Sequence, residues 1–265
     1  MSESELRLAQ DFKMEAIKIM SKINDGISTV ENKITSFLLI GQSNMAGRGD
    51  FGEVPEIINK NCFMLRMGRW QQMREPINCD RQIFEGSFHS GISLAASFAD
   101  ELQKATDSPI GLIPCADGGT TIEQWMPGEV LFDHAAMMTN LAKRTSNLGG
   151  ILWHQGENNC IDFDPAGYKE KLIAMMTELR AIIGAEKKPL LIGELSLGTS
   201  KEFDWAENIP AMNKIFHEVA EILPYCGVVS SEGLSMKPDG IHFDSAALRI
   251  FGHRYFEKYM EIASR

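Results

Sequence analysis

The chain has 265 residues, 44% of them hydrophobic and 23% charged, with a formal net charge of −10. That length suits one medium α/β domain or two small ones with a sizeable core. The acidic balance speaks against a nucleic-acid partner or an anionic membrane surface, since both call for a basic face.

Residues 1–34 read as a helical extension. Ser2 and Ser4 with Glu5 form a cap pattern, and Ala16, Met20, Ile23, Ile27, Val30 and Ile34 recur at steps of three and four. Asn24-Asp25-Gly26 breaks the stripe after a first helix ending near Ile23. Such a stripe needs a partner surface: the main domain, or a second copy of the chain in a homo-oligomer. The first residues are charged and lack the apolar stretch of a signal peptide, so a cytoplasmic location is expected. No window approaches the roughly 18 apolar residues of a membrane-spanning helix.

From Thr35 the chain alternates. Phe37–Ile40 is a short apolar run closed by Gly41, which reads as a buried parallel strand. Cys62–Arg66 is a strand candidate, and Gly91–Lys104 is a helix with Ile92, Ala95, Ala96, Ala99 and Leu102 on one face. Ile110–Pro114 is strand-like, Asp133–Arg144 helical and Gly150–His154 strand-like. Pro165–Ile183 is a long helix with Pro at its start and Gly184 past its end. Leu190–Gly193 (strand), Asn208–Leu223 (helix), Cys226–Ser230 (strand) and Asp244–Met260 (helix) complete the series. Alternation of this kind implies a parallel sheet with helices on both faces. Five cysteines, odd in number and without metal-ligand spacing, are expected to be free thiols.

Three stretches carry chemistry. Gly41-Gln42-Ser43-Asn44 follows the first strand, at the carboxyl end where open α/β sheets bind ligands. There Ser43 reads as a nucleophile, and alone the motif is equally a turn with a helix cap. Asp239-Gly240-Ile241-His242 enters the last helix, and an Asp three residues before a His can meet its Nδ1 while Nε2 faces a serine. Alone, this is equally a helix entry capped by Asp239 or Asp244. The third stretch pairs two strand ends, Gly118-Gly119 and His154-Gln155-Gly156-Glu157. Acyl transfer needs donors where the oxyanion develops. The Ser43 N–H, a backbone N–H of the Gly118-Gly119 pair and the Gln155 amide could supply them.

These blocks, GQSNMAGRG, PCADGGTTIEQW, WHQGE and DGIH, resemble the SGNH hydrolase superfamily, and more closely its sialate O-acetylesterase-like and acetylxylan esterase branch, carbohydrate esterase family 6. The resemblance spans roughly Thr35 to Phe256 and implies a three-layer α/β/α domain over 35–265 with a five-stranded, flavodoxin-like parallel sheet. It implies hydrolysis of an O-acetyl ester on a carbohydrate, with no cofactor and no metal. Ser43 is then nucleophile, His242 general base and acid, and Asp239 its orienter; Ser43, Gly119 and Gln155 form the oxyanion hole. Alternatives are a lysophospholipase or thioesterase of the same superfamily, or a carbohydrate-binding protein without chemistry.

Other signals weigh less. Gly47–Gly52 spells GxGxxG, but no helix opening follows it, which rejects a dinucleotide site. His154 and Glu157 have HxxE spacing without a third ligand, so Glu157 is expected to brace the active-site loops instead. Met45 excludes the GxSxG elbow. Arg48 is expected to contact substrate or to pair with carboxylates, and Trp125 to form a sugar platform or part of the core.

Overall fold

A computed structural model describes residues 34–79 and 90–264. The helical stripe assigned to the first 33 residues lies outside this range. Its last member, Ile34, does not belong to a helix: it opens the first strand and is buried.

Among the described residues seven strands form one sheet: β1 (Ile34–Gly41), β2 (Cys62–Arg66), β3 (Arg69–Gln72), β4 (Ile110–Pro114), β5 (Ser146–His154), β6 (Leu190–Gly193) and β7 (Cys226–Val229). Their order is β3-β2-β4-β1-β5-β6-β7. All neighbours are parallel except β2 and β3, an antiparallel hairpin at one edge. The five-stranded expectation is therefore corrected to seven. Six of these strands were readable as apolar runs. The seventh, Arg-Trp-Gln-Gln, has one buried residue and depends on the tight turn at Met67 and Gly68, both at positive φ.

Among the described residues six helices cover the sheet: α1 (Ser43–Ala46), α2 (Leu94–Thr106), α3 (Val130–Ala142), α4 (Pro165–Ile183), α5 (Ile209–Ile222) and α6 (Ser245–Ala263). α2 and α6 pack together on one face, and α3, α4 and α5 lie on the other. β1 runs between the two layers, so its side chains alternate between them and all are apolar from Phe37 to Ile40. Phe37 and Leu39 enter the α2/α6 core; Leu38 and Ile40 enter the opposite core. Each such buried side chain contributes about 1.5–3 kcal/mol over its exposed state. Phe37, Phe98 and Tyr259 meet edge to face at 5.0–6.1 Å.

Helix boundaries follow their caps. α2 starts at Leu94, three residues later than the pattern suggests, because Ile92 is held extended in a bridge to Gly49. Asp164 caps α4 by accepting the Gly167 N–H at 3.0 Å, and Asp244 caps α6 by accepting the Ala247 N–H at 2.8 Å. Trp125 is fully buried edge to face against Trp153, so it is core rather than a sugar platform. Burial pushes the thiols of Cys62, Cys115, Cys160 and Cys226 up to about 12, leaving them protonated and unreactive.

The chain winds from β1 towards β2 and β4 on one side, then returns to β5 on the other. The strand order thus reverses at β1, and a crevice opens at its carboxyl end. Ser43 stands at that point.

Candidate active site

Gly41 ends β1 at φ +129, and a Cβ there would lie 2.0 Å from the His154 carbonyl oxygen. Only glycine lets the chain turn this close to β5. The Gln42 N–H donates to that same carbonyl at 2.8 Å, fixing the turn. Ser43 then begins the single turn of α1 and is 6% exposed, with its hydroxyl at the floor of the crevice.

The opposite wall comes from the far end of the chain. After β7 the loop closes on itself: the Lys237 N–H donates to the His242 carbonyl at 2.7 Å. Asp239 Oδ1 accepts the N–H groups of Ile241 and His242, each at 2.9 Å. Its Oδ2 faces His242 Nδ1 at 2.8 Å, and His242 Nε2 faces Ser43 Oγ at 2.9 Å. An ionised carboxylate only accepts, so Nδ1 carries the proton and Nε2 presents its lone pair to the serine O–H. Burial would raise the Asp239 carboxyl, but the His242 and Ile241 N–H groups and the imidazole outweigh it and hold the group below its ordinary value. Lys237 Nζ donates to the Arg48 carbonyl at 2.8 Å and to Asp50 Oδ1 at 2.9 Å, tying this loop to the segment after α1.

A cavity of about 210 Å³ opens over the serine, lined by Ser43, Arg48, Gly119, Asn158, Ile241 and His242 among others. Gly119 is at φ +69 and turns its backbone to the crevice. Arg48 is buried; its Nη1 donates to the Gly47 carbonyl at 3.1 Å.

Gln155 is not at this cavity, and its expected role as an oxyanion donor is corrected. It is fully buried, with its amide nitrogen within reach of the Thr120 carbonyl (2.9 Å), Asn159 Oδ1 (2.8 Å) and Gln42 Oε1 (3.1 Å). Its carbonyl accepts the Tyr168 hydroxyl at 2.9 Å. Two amide hydrogens shared among three acceptors leave none for a ligand. The reason is local. Gln155 follows β5 and points into the core beside α4. Gly156, at φ +152, then turns the chain, so the side chain that reaches the cavity is Asn158. Asn158 Nδ2 donates to the Gly119 carbonyl at 3.0 Å, and its Oδ1 accepts from Gln42 Nε2 at 3.3 Å. Sequence reasoning missed Asn158; the signal was its place two residues after a glycine at a strand end.

Glu157, expected to brace the active-site loops, meets the first turn of α1. It is 4% exposed, and its Oε1 accepts from Asn44 Nδ2 at 2.7 Å. The Asn44 amide also reaches the loop that carries His242: Nδ2 donates to the Ile241 carbonyl at 3.3 Å and Oδ1 accepts the Phe243 N–H at 3.2 Å. Among the described residues, no group of three His, Cys, Asp or Glu side chains could hold a metal ion, and no helix is long and apolar enough to cross a membrane.

Comparison with known proteins agrees with this architecture. A probable carbohydrate esterase of Arabidopsis thaliana is 27% identical over 244 residues, which covers 84% of this chain and 89% of that protein. A crystal structure of an Arabidopsis thaliana protein superposes with TM-score 0.75 at 23% identity, covering 86% of this chain and 98% of the other. The structure of NanS superposes with TM-score 0.71 at 16% identity, covering 88% and 98%. At such identities these two establish a shared fold. A family model described as carbohydrate esterase, sialic acid-specific acetylesterase, matches residues 33–261, from the start of the sheet into the last helix. The chain belongs to that family and is a carbohydrate acetylesterase.

Proposed function

We propose that the protein removes O-acetyl groups from an acetylated sugar through an acetyl-serine intermediate. The observation that carries this reading is the hydrogen-bonded series Asp239–His242–Ser43 at the mouth of a small cavity. His242 Nε2 takes the Ser43 proton as Oγ attacks the acetyl carbonyl. The oxyanion is held by the N–H groups of Ser43 and Gly119 and by Asn158 Nδ2. His242 then gives its proton to the departing sugar oxygen, and the C–O bond breaks. Water, deprotonated by the same nitrogen, attacks the acetyl-enzyme and releases acetate, and the proton returns to Ser43 Oγ.

A volume of about 210 Å³ suits a short acyl group, since drug-sized ligands occupy pockets of about 300–1,000 Å³. The reading is tested by hydrolysis of 4-nitrophenyl acetate, butyrate and octanoate. Acetate preferred supports it; octanoate preferred moves the protein to a lipase or thioesterase activity. No turnover by folded protein, on the reporters or on acetylated sugars, would leave a binding protein.

Asn158→Ala is expected to lower kcat on 4-nitrophenyl acetate by about 10²–10³, the usual loss for one oxyanion donor, with KM little changed. Retention of more than half the wild-type kcat would remove Asn158 from the oxyanion site.

Beyond Asp117 lies a second cavity of about 330 Å³, lined by Arg66, Asn78, Asp117 and His134. Carboxylate, amide, imidazole and guanidinium together suit a hydroxyl-rich leaving group. Asn78 is fixed there by a reciprocal pair of hydrogen bonds with the Ala116 backbone, at 2.9 and 3.1 Å. His134→Ala should raise KM for an acetylated monosaccharide by about 2–10-fold, the worth of one hydrogen bond, and leave 4-nitrophenyl acetate unaffected. Equal effects on both substrates would separate this cavity from sugar binding.

A further inference from the structure

The residue before the nucleophile, Gln42, is buried and lines the same cavity. A primary amide has an oxygen that only accepts and an NH₂ that only donates, so its neighbours decide which end faces where. Gln42 Oε1 faces two donors, Gln155 Nε2 at 3.1 Å and the Gly156 N–H at 3.4 Å. A backbone N–H cannot accept, so this end of Gln42 is the oxygen. The other end, Nε2, donates to Asn158 Oδ1 at 3.3 Å. Asn158 Nδ2 in turn donates to the Gly119 carbonyl at 3.0 Å, and a carbonyl cannot donate. The series from Gly156 through Gln42 and Asn158 to Gly119 thus starts on a fixed donor and ends on a fixed acceptor. Both side-chain amides in it take one sense only. Gln155 is set in the same sense from the core. Its oxygen accepts the Tyr168 hydroxyl at 2.9 Å, a phenol that burial keeps protonated by pushing it well above its ordinary value.

We infer that Gln42 is a positioning residue for acyl transfer, and that it acts by holding the Asn158 amide with its second Nδ2 hydrogen turned to the oxyanion. The inference rests on the acyl-transfer reading above and deepens it, since Asn158 is one of the three donors that reading uses. Asn158 opens a short turn, Asn158–Cys160, and is only half-buried, so its hydrogen bonds set where its amide stands. One Nδ2 hydrogen goes to the Gly119 carbonyl, which leaves one for substrate. Gln42 holds the Oδ1 end, so the amide is tied on both sides. Without Gln42 it hangs on the Gly119 carbonyl alone and swings away from the oxyanion. Donors aimed before the reaction starts are worth more than donors that must be reoriented during it. Gln42 is also bound through its own N–H to the His154 carbonyl at 2.8 Å, beneath the nucleophile. One residue therefore fixes both the turn that presents Ser43 and the side-chain donor opposite it.

Methionine is unbranched like glutamine and lacks the amide, so Gln42→Met removes the tie while keeping the space filled. It should lower kcat on 4-nitrophenyl acetate by about 10–100-fold with KM little changed, since a displacement near 1 Å can cost about 10²-fold. Combining Gln42→Met with Asn158→Ala should match Asn158→Ala alone within about threefold, because a residue that acts through Asn158 then has nothing left to position. Losses that multiply in the double variant would show Gln42 acting by another route and overturn the proposal. So would a folded Gln42→Met with wild-type kcat beside an impaired Asn158→Ala, which leaves the oxyanion reading standing. If Asn158→Ala keeps its kcat, the oxyanion role of Asn158 fails first and Gln42 falls with it. A proton–nitrogen NMR spectrum of the wild-type side-chain amides needs no variant to fold. Slow solvent exchange at both Gln42 Nε2 and Asn158 Nδ2 supports the tie, and water-like exchange at either overturns it. A wild type without ester turnover would overturn the acyl-transfer reading instead, and the spectrum would still decide whether Gln42 holds Asn158.

Discussion

Ser43→Ala is expected to remove ester hydrolysis almost completely, with kcat falling by a factor on the order of 10⁶, as loss of a nucleophilic serine does elsewhere. The fold should survive, because the Ser43 hydroxyl faces the cavity and its hydrogen bond runs to His242 rather than into the core. The chain turn beneath it is held by Gly41, by the Gln42 N–H and by the backbone of α1. The check is turnover of 4-nitrophenyl acetate beside a thermal melt. An unchanged melt with lost turnover assigns the chemistry to Ser43. Residual activity within tenfold of wild type would give the attack to another group, and the proposed mechanism would be wrong.

The second large effect belongs to Asp239→Asn, for which kcat should fall by about 10⁴. The reason is directional. Asp239 Oδ1 already accepts two backbone N–H groups, from Ile241 and His242. In the variant those two donors select the amide oxygen, which leaves the NH₂ facing His242 Nδ1. The ring must then accept at Nδ1 and carry its hydrogen on Nε2, pointed at the serine oxygen instead of receiving its proton. KM should change little, since the substituted side chain does not line the cavity over Ser43. Comparable kcat in variant and wild type would mean that Asp239 does not set the tautomer.

Much of this was legible in the residues because period and burial agree. Phe37–Ile40 is apolar at every position because both faces of β1 are covered, and such a run reads the same way in sequence and in space. Pro165 at its start and Gly184 after Ile183 marked α4 without error, since a helix start and a helix stop are local chemistry. Asp239 and His242 could be paired on paper because three residues of loop suffice to bring them together. The connection to Ser43, 199 residues away, is not local, and in the sequence the motif resemblance alone points to it.

What was illegible depended on direction. Four polar residues, Gln155 before Gly156 and Glu157, Asn158 and Asn159 after it, could each have faced the serine. The φ of Gly156 decides between them, and no side-chain pattern encodes it. β3 was missed because an edge strand needs only one partner and carries no buried stripe. Asn44 looked like a turn former, and its work as a bridge rests on tertiary distances alone.

The separation of Ser43 and His242 along the chain also has a consequence during synthesis. A ribosome adds about 5–20 residues per second, so the 199 positions from Ser43 to His242 take about 10–40 s to add. Throughout that interval a nascent chain carries the serine without the imidazole that activates it in the proposed mechanism. Esterase turnover in a translation reaction would therefore report the arrival and docking of the last segment. It would serve as a clock for completed folding rather than for the appearance of the first strands.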